Sequence, residues 1–415
     1  MATRSGVGQA FFPVRKLSAA HSTDPFRTKV LCGLGFIALI TTALLIWRQP
    51  FALSGAAGQP FPDAHEYLNA AYRLAHWQGY TTTVRDNPYF HIHQVVNPPR
   101  YPPGTSLVLA PFALIGNYPG NIEFGARLLV VALVIATGWA AYSLAGWYAA
   151  LLAVVIISTS QFVLLNAHIV MSDVLAALLI VICVPLMKLR TTWSVFLLGF
   201  VAGYGVVVRE SGVVVLASLL IVISGWDRLR VLAGAIPPVL GLAIYSWWTF
   251  GAPWRTGYSY WLGGFREYSL SYVFKHPWPP GGEEDYYAVS LRFFHLVGST
   301  HEGIISLLPN IWFYPLMLLG FSTVFGPPWL TLLGLVAAAW WWRQREAQFT
   351  LLLAVLTAII YMPNYGQDPR FLAGPCYLLT AWALAAVVHI ARWVRDRYGQ
   401  QISAFLAPRS TPANG

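Results

Sequence analysis

Long apolar runs separated by short polar punctuation dominate this chain. Ten of them, at residues 30–47, 123–145, 147–165, 174–187, 193–208, 211–225, 229–250, 327–342, 348–363 and 371–391, read as membrane-spanning helices. Several are shorter than the ~20 residues that a straight span needs, so their ends are loose. Two further stretches are ambiguous. Residues 104–116 are too few to cross comfortably, and residues 304–325 are broken by Pro309 and Pro315. Counting both would give twelve spans, and counting neither gives ten.

Composition agrees with the pattern. Of the 415 residues 57% are hydrophobic and 10% are charged, and the mean hydropathy is +0.56. Soluble domains carry about 25% charged residues, so the chain is expected to be embedded in a membrane and to cross it repeatedly. The net charge of +10 does not point to nucleic acid, because the basic residues gather at the ends of apolar runs. Cys32, Cys183 and Cys376 each fall inside an apolar run, with no metal spacing and no disulfide framework. No glycosylation sequon of the Asn-X-Ser/Thr type occurs.

Charge decides the span count. With ten spans and the N-terminus inside, the inner segments hold 15 of the 26 Lys and Arg, while 12 of the 16 acids lie outside. A twelve-span reading would move Lys188 and Arg190 outside, against the rule that positive charge stays in the cytosol. The chain then divides into a cytosolic segment 1–29, a membrane-embedded domain 30–391 and a cytosolic basic tail 392–415. A secretory leader cleaved near Ala56 is the alternative for the first run. A 29-residue polar leader followed by 18 apolar residues favours an uncleaved anchor.

Two large outer segments follow, at roughly 48–122 and 251–303. The first contains Pro62-Asp63-Ala64-His65-Glu66-Tyr67, and an amphipathic run from Glu66 to Gln78 that reads as a short helix lying on the membrane. Next comes Asn97-Pro98-Pro99-Arg100-Tyr101-Pro102-Pro103-Gly104, whose four prolines force an extended turn. Asp173 is the single formally charged side chain between Leu128 and Met187. An isolated carboxylate at membrane depth costs roughly 2.5–3.5 kcal/mol, so such groups usually mark function. Asp63 and Asp173 each flank a span on the outer side, which suggests chemistry at one membrane face.

These motifs, in this order, resemble those of the GT-C glycosyltransferases. Phe61-Pro62-Asp63-Ala64-His65-Glu66-Tyr67 is similar to that superfamily's first outer loop, nearest to its protein mannosyltransferase and aminoarabinose-transferase-like branch (glycosyltransferase family 39/83-like). Arg100-Tyr101-Pro102-Pro103-Gly104 and the later Arg127-Leu128 resemble its proline segment and following Arg-Leu. Ala167-His168-Ile169-Val170-Met171-Ser172-Asp173 resembles its second acidic motif. The segment Gly203-Tyr204-Gly205 to Arg209-Glu210-Ser211-Gly212 resembles its glycine-rich span with a basic end, and Pro369-Arg370-Phe371-Leu372-Ala373-Gly374-Pro375 its late basic-aromatic-proline element. One departure stands out: Ala64 and His65 separate Asp63 from Glu66, where many relatives carry adjacent acids, so the resemblance does not by itself give Glu66 the second acid's role.

The resemblance implies an all-α, polytopic GT-C-type helical bundle of about ten spans, with interfacial helices in a long first outer loop. It implies a polyprenyl-phosphate sugar donor and a lipid, glycan or protein acceptor, with membrane lipids around and no nucleic acid. Asp63 and Asp173 are then the catalytic candidates, and Glu66, Tyr67, Arg100, Tyr101, Arg209 and Arg370 the substrate-binding ones. No cofactor is implied; use of a divalent cation stays open. The residue chemistry is compatible on its own terms: a carboxylate can take a hydroxyl proton, and arginine's fork matches phosphate oxygens.

Each candidate also has a structural reading. Asp63 and Glu66 fit a helix capping box, and Asp173 can cap the span that begins at Val174. Arg209 can pair with Glu210, and Arg370 with Asp368. His91-Ile92-His93 offers alternate-residue metal spacing without an anchored acid, and Glu283-Glu284-Asp285 reads as a solvated turn. The rival functions are a transporter or flippase of lipid-linked sugars and a non-catalytic glycolipid-binding relative. Long outer loops bearing the acids favour the enzyme, because a transporter places its charged pairs near the midplane.

Overall fold

The computed structural model describes residues 25–48, 62–83, 96–116, 120–167, 169–257, 311–362 and 368–406. His91 and His93, His168, Glu283-Glu284-Asp285, most of the outer segment 251–303 and both chain ends lie outside the described residues. What is described is helical, with one isolated antiparallel bridge between Thr82 and Asn97. The helices are α1 (Pro25–Arg48), α2 (Pro62–Ala75), α3 (Gly104–Ala113), α4 (Gly120–Ala145), α5 (Trp147–Ser158), α6 (Gln161–Asn166) and α7 (Ser172–Leu189). They continue with α8 (Thr192–Val208), α9 (Val213–Val222), α10 (Trp226–Phe250), α11 (Pro328–Trp340), α12 (Arg345–Tyr361) and α13 (Ala373–Leu406). Short 3₁₀ turns, Glu210–Gly212 and Pro369–Leu372, lead into α9 and α13.

Among the described residues four helical stretches are long and apolar enough to cross a membrane unaided: Gly120–Ala145, Ser172–Leu189, Trp226–Phe250 and Pro369–Tyr398. Most of the remaining apolar helices are shorter, and they pack around these four. The apolar window of Pro369–Tyr398 is 89% buried, against 22% for that of Trp226–Phe250. α13 is therefore the central helix, with Tyr377, Leu378, Leu379 and Trp382 filling the core. α10 is peripheral. It packs on α8 and presents Ile236, Leu240 and Ile244 outward, at the four-residue spacing of one helix face.

The bundle has two chemically distinct ends. At one, Lys188 meets Glu346 at 3.5 Å and Arg392 donates to the Ala145 carbonyl. At the other lie Asp63, Asp173, Arg209 and Arg370. Exposed tryptophans mark both ends: Trp193 and Trp226 begin their helices at the first, and Trp247 and Trp248 close α10, with Trp254 just beyond it, at the second. Such aromatic girdles form where a bundle meets two water interfaces.

Two expectations about elements are corrected. The run 147–165 is not one span: it breaks at Thr159-Ser160, where the Ser160 side chain accepts from the Val163 N–H and starts α6. The amphipathic run after Asp63 does form a helix, but it does not lie with its apolar face on lipid. Ala64, Tyr67, Leu68 and Ala71 pack against Leu109 and Ala113 of α3, Ile122 and Ala126 of α4, and Ile169 to Met171. The small Ala64 and Ala71 let α2 come close to α3, so protein covers this face. Residues 104–116 behave as their length requires, forming a ten-residue helix at the Asp63 end. In the stretch 304–325, residues 311–318 are helical.

Candidate active site

α2 opens with Pro62, whose fixed φ and missing N–H suit the first turn, and Asp63 follows where the helix dipole favours an acid. Residues three apart share a face, so Asp63 and Glu66 both address the proline segment. Glu66 is 6% exposed. Its Oε1 accepts the backbone N–H of Arg100 and, at 3.3 Å, that of Tyr101, while Oε2 lies 4.0 Å from Arg100 Nε. Arg100 is thereby delivered to Asp63, its Nη2 3.3 Å from Oδ1. Tyr67 and Tyr101 stack with ring centroids 4.9 Å apart, and the Arg100 guanidinium sits 4.7 Å from the Tyr101 ring. Burial pushes the Glu66 carboxyl up to about 7, with Arg100 and its amide bonds opposing that shift.

Gly104 fixes the far end of the proline segment. A Cβ there would lie 2.7 Å from the Val207 carbonyl and the Val208 nitrogen, so only glycine permits this approach to α8. The Tyr204 hydroxyl donates to the Gly104 carbonyl at 2.8 Å. Pro102-Pro103-Gly104 thus ties the Asp63 loop to the end of α8, one residue before Arg209.

The second cluster is built from three helix ends. Asp173, 3% exposed, lies in the first turn of α7. Its Oδ1 accepts from Arg209 Nη1 at the end of α8, and its Oδ2 lies 3.9 Å from Arg370 Nη1. Arg370 also pairs through Nε with Asp368 Oδ2 at 2.5 Å. Burial raises the Asp368 carboxyl above the usual carboxylate range, against the pull of Arg370. A lone buried acid here would be costly; a carboxylate between two guanidiniums is not alone.

The two clusters belong to one site. The Tyr67 side chain hydrogen-bonds Ser172, beside Asp173, and feels the fields of Asp63, Asp173 and Arg209. Arg370 in turn feels Asp63 as well as Asp173 and Asp368. Behind the arginines a narrow crevice of about 40 Å³ lies between α7, α8, α9, α12 and α13. Asp173, Arg209 and Arg370 line it together with apolar side chains such as Ile180, Val201 and Val215. Seven residues of helix separate Asp173 from Ile180, a depth of ~10 Å at 1.5 Å rise per residue.

A divalent cation does not suit this donor set. Asp63 is paired with Arg100, Asp173 with Arg209 and Arg370, and Asp368 with Arg370. Among the described residues no three His, Cys, Asp or Glu side chains gather where one ion could join them.

All eight sequence-predicted site residues lie in this region, but several partners differ from the structural readings. Arg209 bonds Asp173, while Glu210 turns to Thr256. Glu66 bonds Arg100 and Tyr101 across the loop, so the pair with Asp63 works as a tether to the proline segment. Asp173 follows an N-cap, Met171, that makes no side-chain cap bond. The Asp368–Arg370 pair is present and is one edge of the larger cluster. Sequence reasoning missed Tyr361, Ser211 and the ring of Phe371. Phe371 lay inside a quoted motif; Tyr361 reads as one more aromatic at a span end.

No family model matches the chain, and no curated protein matches it. Solved structures do. The Archaeoglobus fulgidus oligosaccharyltransferase in its apo form superposes with a TM-score of 0.55 at 12% identity, over 90% of this chain and 52% of that one. Its complex with Zn and sulfate gives 0.52 at 14% identity, over 90% and 51%. The fold is that of this oligosaccharyltransferase's matching half. ArnT from Cupriavidus metallidurans bound to undecaprenyl phosphate also matches, with a TM-score of 0.36 at 14% identity, over 93% of this chain and 82% of that one. The chain spans about half the length of the oligosaccharyltransferase. At these identities the likeness is one of fold, and the site's own geometry has to supply the rest.

Proposed function

We propose that this protein transfers a sugar from a polyprenyl-phosphate donor to a hydroxyl of a lipid, glycan or protein at the extracytoplasmic face of the cell membrane. One observation carries the reading: a carboxylate, Asp63, lies at the same end of the bundle as two guanidiniums, Arg209 and Arg370, which line an apolar crevice between its helices. The apolar walls of the crevice suit contact with an isoprenoid chain, and the arginines at its mouth suit the attached phosphate. The charged groups sit in helix first turns and termini rather than at mid-helix, which supports an enzyme over a transporter.

In the reaction, Asp63 accepts the acceptor's hydroxyl proton as that oxygen attacks the anomeric carbon. The bond between that carbon and the phosphate oxygen breaks, and its electron pair leaves on the phosphate. Arg209 and Arg370 stabilise the charge that develops there. A single displacement inverts the anomeric centre, as in one-step glycoside chemistry. Arg100 orients Asp63, and Asp173 holds the two donor-binding arginines together.

The test is transfer of label from a panel of polyprenyl-phosphate sugars to membranes containing the purified protein, with initial rate followed against donor concentration. At least one donor is expected to be used. Arg370→Lys keeps the charge without the fork and weakens donor use moderately, Arg370→Ala strongly, and Arg209→Ala similarly; a charge-assisted hydrogen bond is worth about 1.5–3 kcal/mol. Unchanged donor dependence in both alanine variants would remove these arginines from the site.

A further inference from the structure

Phe371 and Tyr361 lie ring on ring, with centroids 4.2 Å apart and planes 9° from parallel. The Tyr361 hydroxyl is 2.6 Å from Ser211 Oγ, in the 3₁₀ turn two residues after Arg209. The Arg209 guanidinium lies 4.9 Å from the centroid of the Phe371 ring, and that of Arg370 lies 5.7 Å from it. Tyr314, with 0% exposure, backs the stack with its ring 6.3 Å from Tyr361. One ring thus serves two like-charged groups, and α12 and the turn before α9 are strapped together behind it.

We propose that Phe371, braced by Tyr361 and Ser211, is the positioning element that sets Arg209 and Arg370 as a pair for a lipid phosphate. The inference rests on the donor-phosphate reading of those arginines. A phosphate is gripped by N–H groups at the edge of a guanidinium, and some of those groups already face Asp173 and Asp368. A phosphate that drew on those same donors would loosen the carboxylates' hold on the arginines. A ring against the guanidinium holds the cation by its π-face attraction and competes for none of the N–H edges. The arginines can then exchange oxygen partners without losing their places. Phe371 touches no reacting atom in this account; it acts through the two cations.

The experiment compares binding of geranylgeranyl phosphate and geranylgeraniol to the purified full-length protein by thermophoresis. The ratio of the two dissociation constants isolates the phosphate. Wild type is expected to prefer the phosphate. Phe371→Leu, which keeps apolar bulk and loses the ring, should cut that preference about 5- to 30-fold, the range that a desolvated cation–π contact supports. Phe371→Tyr should keep it, and because these residues also line the crevice, binding of the alcohol should change far less than binding of the phosphate. Ser211→Ala and Tyr361→Phe delete the strap and keep every ring, so they carry the test if the leucine variant does not fold; each should cut the preference about 2- to 5-fold. Full preference in all three variants, or an equal loss for phosphate and alcohol, would overturn the positioning role. A wild type with no preference for the phosphate would instead overturn the donor reading beneath it.

Discussion

Glu66 shows how much a single residue in this site does through its surroundings. As a sequence letter it looks like the second acid of a catalytic doublet displaced by two positions. In the fold it is a buried tether whose Oε1 collects two backbone amides of the proline segment. Its titration follows from that burial. The folded-state carboxyl lies near 7 rather than 4.5, so the folded protein binds this proton more tightly than the unfolded chain does. The associated stability is complete below about pH 4.5 and is lost as pH rises through about 7, a change of about 3 kcal/mol at most at 1.36 kcal/mol per pKa unit. Glu66→Gln keeps an acceptor for both amides and removes the proton, so its thermal unfolding midpoint should lose the part of the pH slope between those values that wild type shows. Glu66→Ala should unfold at lower temperature at every pH, because two amides lose their partner. A wild-type slope retained in Glu66→Gln would assign the titration to another group. At this scale the sequence made the charged residues legible, because acids and arginines are rare in an apolar chain. It could not reveal the partners, since Asp173 lies 36 positions from Arg209 and 197 from Arg370.

At the scale of elements, the hydropathy pattern located the apolar helices and left their joints to local chemistry. The break between α5 and α6 comes from Ser160 capping a new helix, a side-chain hydrogen bond that a hydropathy run does not record. The placement of α2 was hidden for a similar reason. An amphipathic stripe says that one face is buried but not whether lipid or protein buries it, and here α3 and α4 do. The proline segment was readable as extended, yet its value lies in where Gly104 lets it dock. Gly104→Ala introduces a Cβ 2.7 Å from the backbone of α8, an approach that something must yield to relieve. The expected result is a fall in sugar transfer far larger than the fall in helix content by circular dichroism, because the displaced segment carries Arg100 away from Asp63. A Gly104→Ala protein with full transfer would show that this docking does not govern the site.

For the whole molecule, the two ends of the bundle carry the account. In the proposed topology, which rests on the charge tally, the Lys188 and Arg392 end faces the cytosol and the Asp63 end the outside. Single cysteines at Gln78 and Glu284, in a background lacking the native three, should react with an impermeant thiol reagent in intact cells. Labelling of both only after lysis would invert the arrangement. The fold class was legible because lipid forces backbone hydrogen bonds to close within helices, so apolarity alone selects an α-bundle. The crevice was not, since its walls come from five helices spread over some 200 residues of chain. The central claim, that Asp63 takes the acceptor proton at the outer end of a lipid-phosphate site, has a direct measurement. Asp63→Asn keeps the shape and removes the basic charge; its initial rate of label transfer from the preferred polyprenyl-phosphate sugar should fall about 10²- to 10⁴-fold, with insertion and thermal unfolding close to wild type. Near-full turnover in Asp63→Asn would make Asp63 a structural partner of Arg100 and contradict the mechanism.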